Sequence, residues 1–143
     1  MSGKRVLLDT NIIIDFLQGR ADLKDKFLSS GYIAIPHIVT GELYYGAELS
    51  NNSVKNLKKI KSFLKSFEIL SSDDITSTFY AKIKKELKTR GNPIPENDIW
   101  IAAIALQYDL ILATNDKHMQ LIDTLSVEMW LYVSLNSINC KAR

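Results

Sequence analysis

The chain opens its first regular element at residues 4–9, with the sequence Lys-Arg-Val-Leu-Leu-Asp. The apolar run stops at Asp9, and apolar residues with helical spacing follow directly, which predicts a buried strand that turns into a helix. Further along the chain, short apolar or β-branched runs again alternate with longer helical patterns. This alternation is typical of an α/β domain with a largely parallel sheet.

The remaining elements can be delimited from the same patterns and from turn residues. The predicted strands comprise four or five segments: residues 4–9, 32–35, 68–70, 110–114 and, at a sheet edge, 127–133. The predicted helices cover residues 11–18, 22–30, 38–49, 54–66, 74–89 and 98–108, with a short helix and turn over 115–125. Breaks are expected around Gly19, after Pro36 and at Gly91, and Asp73 or Asp74 is expected to cap the long fifth helix.

Composition indicates one globular domain spanning residues 1–143. The chain has six Gly and three Pro, and we find no internal repeat or low-complexity segment. The single cysteine, Cys140, excludes an intramolecular disulfide and fits a reducing compartment. No apolar run approaches the roughly 20 residues of a membrane span. We therefore expect a cytoplasmic protein without a membrane partner.

The charge distribution is uneven although the net charge is only +2. Residues 55–90 contain ten Lys/Arg and four Asp/Glu, a net charge of +6, whereas the rest of the chain carries eight basic and twelve acidic residues, a net charge of −4. A basic stretch beside an acidic remainder suits a protein that binds polyanions at one place and gathers carboxylates at another. The solvated faces of amphipathic helices would explain the same lysines without any partner.

Four acids lie just beyond a predicted strand or near the start of a predicted helix: Asp9, Glu42, Asp98 and Asp116. Ligands of parallel α/β sheets bind at the carboxyl ends of the strands, so Asp9 and Asp116 are expected to face one cleft if their strands are neighbours. Each acid also has a structural explanation. Asp9, Asp98 and Asp116 could cap helices or turns, and Glu42 could favour a helix dipole.

Taken together, the four acids predict a metal site. Carboxylates gathered in one cleft would repel each other and raise their pKa values unless a cation neutralised them. Oxygen ligands suit Mg²⁺ or Mn²⁺. Zinc is disfavoured because the chain has only two histidines, His37 and His118, and one cysteine. Both histidines are expected to be surface or loop residues.

Four segments of the chain resemble the motifs of PIN domains, especially those of the VapC toxins. They are Val-Leu-Leu-Asp-Thr-Asn-Ile-Ile-Ile-Asp at 6–15, Val-Thr-Gly-Glu-Leu at 39–43, Asn-Asp-Ile-Trp-Ile-Ala-Ala at 97–103 and Leu-Ala-Thr-Asn-Asp at 112–116. Their order and spacing match as well. The chain differs from many members of the family at Asn115 and Met119, where an Arg and an aromatic residue are common.

The resemblance implies a three-layer α/β/α fold and a Mg²⁺-dependent endoribonuclease, the toxin of a type II toxin–antitoxin pair. It implies that the acidic metal site consists of Asp9, Glu42, Asp98 and Asp116. It further implies that Thr114 and Asn115 support the fourth acid; Thr10 and Asn11 could order the site through hydrogen bonds. RNA as substrate, a cognate antitoxin that inhibits at the cleft, and a homodimer follow from the same resemblance.

Two other functions remain open on the sequence alone. A PIN-fold module that binds RNA or antitoxin without turnover would keep the fold, although the presence of all four acids argues against it. An aspartyl-phosphate phosphatase would use Asp9 as its nucleophile. That class usually has a second acid two positions later, where this chain has Asn11.

Overall fold

A computed structural model describes residues 3–132 of the chain and contains one five-stranded sheet. Every strand pair in it is parallel, and the strand order is β3-β2-β1-β4-β5. The strands are β1 (Arg5–Leu8), β2 (Tyr32–Pro36), β3 (Glu68–Leu70), β4 (Ile111–Thr114) and β5 (Val127–Met129). The predicted mostly parallel sheet of four to five strands is confirmed.

Six α-helices connect the strands and cover the sheet. They are α1 (Thr10–Leu17), α2 (Asp22–Ser29), α3 (His37–Leu49), α4 (Ser53–Leu64), α5 (Asp74–Thr89) and α6 (Glu96–Gln107), and a 3₁₀ helix follows at Lys117–Leu121. The connections from β1 through β3 run in one direction across the sheet, and those from β3 to β5 run in the other. Because parallel crossovers are right-handed, α1–α4 cover one face and α5–α6 the other, which gives the three-layer arrangement.

The boundaries differ from the sequence-based ones in a few places. Pro36 was expected to lie beyond β2, but it is the last residue of that strand and pairs with Leu70 of the edge strand β3. A proline is tolerated there because it lacks only a donor at the strand end. The last strand ends at Met129 rather than at Val133. Val133 itself, and Cys140, lie outside the described residues.

Two glycines that were expected to break helices, and one aspartate that was expected to cap one, lie at helix ends in the structure. Gly19, after α1, and Gly91, after α5, adopt φ values of +101° and +70°, which other residues rarely accept. At the start of α5 the Asp73 side chain accepts from the Thr76 N–H at 3.1 Å, and the Asp73 N–H donates to the Thr76 hydroxyl at 2.9 Å. The Thr76 hydroxyl also donates to the side-chain amide oxygen of Gln107, so this capping box ties α5 to the end of α6.

The sheet places β1 and β4 side by side at its topological switch point, because the direction of the crossovers reverses between them. Both strands are almost fully apolar and buried, as are the facing residues of α6. In α/β sheets, the crevice outside the carboxyl ends of such a strand pair is where ligands bind. Among the residues described, no helix is both long and apolar enough to cross a membrane.

Candidate metal centre

Asp9 lies directly after β1 and is held by three hydrogen bonds. One carboxylate oxygen accepts from the Thr10 backbone N–H at 2.8 Å, which caps α1. The other accepts from the Thr114 hydroxyl at 2.7 Å and from the Asn11 amide at 3.2 Å. Asp9 is only 3% exposed. It is therefore both a helix cap and a fixed carboxylate at the end of the central strand.

Glu42 approaches the same place from the second turn of α3. Its carboxylate Oε1 accepts a hydrogen bond from the Thr10 hydroxyl at 3.1 Å. Thr10 and Asn11, the two residues after Asp9, thus each orient one acid of the site. The expectation that they order the site through hydrogen bonds agrees with these contacts.

Asp116 follows β4, and Thr114 fixes its backbone. The Thr114 hydroxyl accepts from the Asp116 N–H at 3.0 Å while it donates to Asp9, so one buried side chain connects the two strand ends. The Asp116 carboxylate accepts from the His118 N–H at 2.9 Å and so caps the 3₁₀ helix. Asn115 contacts the site indirectly, because its backbone N–H donates to the Asn11 side-chain oxygen at 3.0 Å.

Asp98 lies in the first turn of α6 but does not cap that helix. The N-cap is Pro95, and no side chain makes the capping hydrogen bond. Capping, offered above as a structural explanation for Asp98, is therefore wrong. Instead, one ligand atom from each of Asp98, Asp116 and His118 lies within 4.8 Å of the others, a spacing that can hold a metal ion.

The pKa values of the carboxyl groups show that the four acids act on one another. Burial and then the negative charges of the other three acids raise the pKa of Asp98 to about 6. Burial is also the main cause of the raised pKa of Asp9, to which Asp116 adds, and of Glu42, to which Asp9 adds. The structure thus brings all four predicted acids into one electrostatic cluster.

The carboxylate oxygens of the four acids are ligands of the type that hard divalent cations prefer. Within residues 3–132 the four acids form no salt bridge to any Lys or Arg, and the one basic side chain in contact with them is His118, whose Nδ1 lies 3.1 Å from Asp116 Oδ1. Half-buried carboxylates without basic neighbours favour a metal ion that supplies the missing positive charge. The acidic cluster can therefore bind a metal.

His118 is the residue that the sequence-based reasoning left out of the site. Its side chain is 61% exposed, in agreement with the expected surface position, but it borders the acidic cluster rather than lying away from it. In the sequence, the one local feature that could have indicated a place for His118 in the site is its position two residues after Asp116. His37, by contrast, begins α3 as an exposed residue, as expected.

The model of the PIN domain family matches residues 6–125, which include all four acids. The "Ribonuclease VapC2" of Haemophilus influenzae is 35% identical over 130 residues, which cover 89% of this chain and 98% of that protein. The chain belongs to the PIN-domain family, in its VapC branch. A second VapC relative, the "tRNA(fMet)-specific endonuclease VapC" of Shigella flexneri, is 32% identical and covers 88% of this chain and 98% of its own length.

Solved VapC structures have the same fold as this PIN domain. The VapBC2 complex of Rickettsia felis bound to a promoter DNA fragment matches with a TM-score of 0.82 at 30% identity, over 88% of this chain and 98% of that one. The DNA-bound VapBC of Salmonella typhimurium matches with a TM-score of 0.84 at 28% identity, over 90% and 99% of the two chains. The predicted PIN-like fold is confirmed.

Proposed function

We propose that this PIN domain is a Mg²⁺-dependent endoribonuclease, with Mn²⁺ as an alternative ion, and the toxin of a type II toxin–antitoxin module acting in the cytoplasm. The observation that carries the proposal is the acidic cluster at the carboxyl ends of β1 and β4. The names of its VapC relatives, ribonuclease and endonuclease, support RNA as the substrate. The proposed metal ligands and catalytic residues are Asp9, Glu42, Asp98 and Asp116.

The site contains two kinds of residue: four acids that would bind the ion, and polar residues that orient those acids. One carboxylate oxygen of Asp98 and one of Asp116 lie within 4.8 Å of each other, so these two acids would hold the ion between them, and Asp9 and Glu42 would complete the negative charge. Thr10, Asn11, Thr114 and Asn115 keep these acids in place through the hydrogen bonds described above. When bound, Mg²⁺ supplies an acidified water molecule and neutralises charge on the phosphodiester.

A groove beside Glu42 is the surface that we propose for a segment of the antitoxin. It has a volume of about 320 Å³ and lies between α1, α3 and α4, with apolar residues such as Ile14, Leu43 and Ile60 along it. Ile14 is 39% exposed there. A protein segment in this groove would bury apolar surface and cover Glu42 at the same time. The VapBC complexes among the relatives support such a partner.

Cleavage of a labelled RNA pool tests the proposal. We expect wild-type protein to cut RNA with Mg²⁺ or Mn²⁺ and to stop in EDTA, and Asp9→Asn and Asp98→Asn to lose cleavage by a factor on the order of 10³ or more, because each removes a proposed ligand. Asp25→Asn, an exposed change on α2, is the matched control and should cut normally. The pool includes tRNA(fMet), which the Shigella relative's name specifies.

Two results would contradict the proposed nuclease activity. Cleavage that persists in EDTA or in Asp98→Asn would mean that the acidic cluster is not the active site. Metal-dependent binding of RNA without cleavage, by folded protein free of antitoxin, would favour the non-catalytic module. Light scattering on the same sample tests the homodimer that the family resemblance implies.

A further inference from the structure

A chain of hydrogen bonds runs from the acidic cluster to an ion pair at the end of α1. It starts at Asp9, which accepts from the Asn11 side chain, and continues from the Asn11 oxygen to the backbone N–H of Asn115 at 3.0 Å. The Asn115 side-chain amide donates to Asp15 Oδ2 at 2.9 Å. The same oxygen of Asp15 accepts from Arg20 Nη1 at 3.3 Å. Asp15 therefore joins the cluster to Arg20.

Arg20 is a rigid anchor for this chain of contacts. Its side chain is 5% exposed, and its guanidinium donates to the Trp130 carbonyl at 2.7 Å and to both oxygens of Asp22 at 3.0 and 3.1 Å. A guanidinium that is buried and bonded on three sides has little freedom to turn. Consequently the Asp15 carboxylate, which shares this guanidinium, is fixed in one position.

The residue that Asp15 holds lies between two site residues. Asn115 follows Thr114, which donates to Asp9, and precedes Asp116, whose carboxylate lies within 4.8 Å of Asp98. The backbone of Asn115 is held by Asn11 and its side chain by Asp15. Without the contact to Asp15, the Asn115 side chain would lose its only described hydrogen-bond partner. The backbone that leads into Asp116 would then be held by fewer contacts.

We propose that Asp15, backed by the buried Arg20, is a positioning residue that fixes Asn115 and thereby sets the place of Asp116 in the metal site. This inference rests on the proposed function, because it assigns Asp15 a role toward a bound ion. Asp15 touches none of the four acids itself in the hydrogen bonds described here, so it acts through Asn115. Partners of this kind in metal sites influence affinity strongly although they contact no metal.

A purely structural role for the ion pair is the competing explanation, since Arg20 also ties α1 to the residue after β5. Asp22 separates the two explanations. It binds the same guanidinium as Asp15 does, but it has no described hydrogen bond to Asn115. Asp22→Asn removes one charge next to the guanidinium, but Arg20 still donates to the Trp130 carbonyl and to Asp15, so the path to Asp116 keeps its contacts. This variant is therefore the matched control for Asp15→Asn.

The experiment is a calorimetric titration of Mn²⁺ into the full chain and its variants. We expect Asp15→Asn to weaken Mn²⁺ binding by roughly 10- to 100-fold, while the variant still unfolds cooperatively. Asn115→Ala should have the same effect, and the double variant should be no worse than either single one, because both changes break one path. Asp22→Asn should bind Mn²⁺ as wild type does.

Amide hydrogen exchange over residues 113–119 gives a second measurement that needs no metal. Exchange in this segment should be faster in Asp15→Asn than in wild type, and unchanged in Asp22→Asn. Equal Mn²⁺ affinity of Asp15→Asn and wild type, or an equal loss in Asp22→Asn, would overturn the positioning role alone. If wild type itself bound no Mn²⁺, the metal site of the proposed function would be wrong, and the role assigned to Asp15 would fall with it.

Discussion

The carboxyl group of Asp98 is surrounded by the other three acids and lies half-buried, so its ionised form is unfavourable in the metal-free protein. Its pKa is about 6 in the folded chain, against an ordinary value of 3.8. Between these two pH values the unfolded chain has already lost the proton that the folded chain retains. The stability of the metal-free protein should therefore fall as pH rises from 4 to 6, and the raised pKa values of Asp9 and Glu42 act in the same direction.

Asp98→Asn should reverse this loss. The amide cannot ionise, so in EDTA the variant should melt at a higher temperature than wild type at pH 7 and show little difference at pH 4. Thermal unfolding of the two proteins across this pH range measures the effect. Added Mg²⁺ should raise the melting temperature of wild type at pH 7 and leave that of the variant unchanged, because a ligand stabilises only a state that binds it. An equal response of both proteins to Mg²⁺ would place the ion elsewhere.

The capping box at the start of α5 makes a second prediction, which concerns how two helices are joined. Thr76 is fully buried, and its hydroxyl serves the Asp73 N–H, the Asp73 carboxylate and the Gln107 side chain. Thr76→Val keeps the shape but leaves the Asp73 N–H without its acceptor and the Gln107 side-chain oxygen without its donor. We expect it to lower the free energy of unfolding by about 1–3 kcal/mol.

Thr78→Val is the matched control for that change. Thr78 lies in the same helix, is exposed, and donates only to the Asp74 carbonyl one turn earlier. Urea unfolding should show a large loss for Thr76→Val and a small one for Thr78→Val. Similar losses at the two positions would mean that the link between α5 and α6 contributes little, and that valine simply disfavours this helix.

Most elements could be predicted from the sequence because their signals are local. Val6-Leu7-Leu8 is a continuous apolar run that stops at Asp9, and Gly91 ends α5 with the positive φ that only glycine accepts readily. The strand order could not be predicted in this way, since neighbours in the sheet are set by packing between distant segments. Likewise Asp15 and Arg20 carry no local sign that they contact Asn115, one hundred positions away from Asp15.

In the candidate site, too, the residues with a local sequence signal could be predicted and those without one could not. Its four acids were predicted because each follows a strand or begins a helix, and the family resemblance names the same four. The inclusion of His118 was missed because an exposed histidine after a turn has no distinctive spacing. Asp98 shows the converse: a position near a helix start suggested a cap, whereas Pro95 occupies the cap and leaves the Asp98 carboxylate free to join the cluster.

The lysines of residues 55–90 do not form one basic surface in the folded molecule. All of them are exposed, but those of α4 lie on the helical layer that contains α3, and those of α5 lie on the opposite layer with α6. Lys59 of α4 borders the groove that contains Glu42. A strand of RNA that reaches the acidic cluster would therefore pass α4 rather than α5.

The salt dependence of RNA binding tests this assignment. Fluorescence anisotropy with Asp98→Asn protein, which should not cut, gives Kd at several salt concentrations. Each lysine that contacts a phosphate contributes about 0.7 to the slope of log Kd against log salt on single strands. Lys58→Gln with Lys59→Gln should reduce the slope, and Lys85→Gln with Lys88→Gln should not. The opposite result would place the RNA along α5.

The position of β1 at the centre of the sheet has a consequence for the timing of activity during synthesis. Asp9 is synthesised before the residue that holds it, because the hydroxyl that donates to its carboxylate belongs to Thr114, 105 positions later. Until β4 has emerged and paired with β1, the nascent chain has neither that contact nor Asp116. The order of translation therefore delays completion of the proposed active site until β4 has been made and has paired with β1.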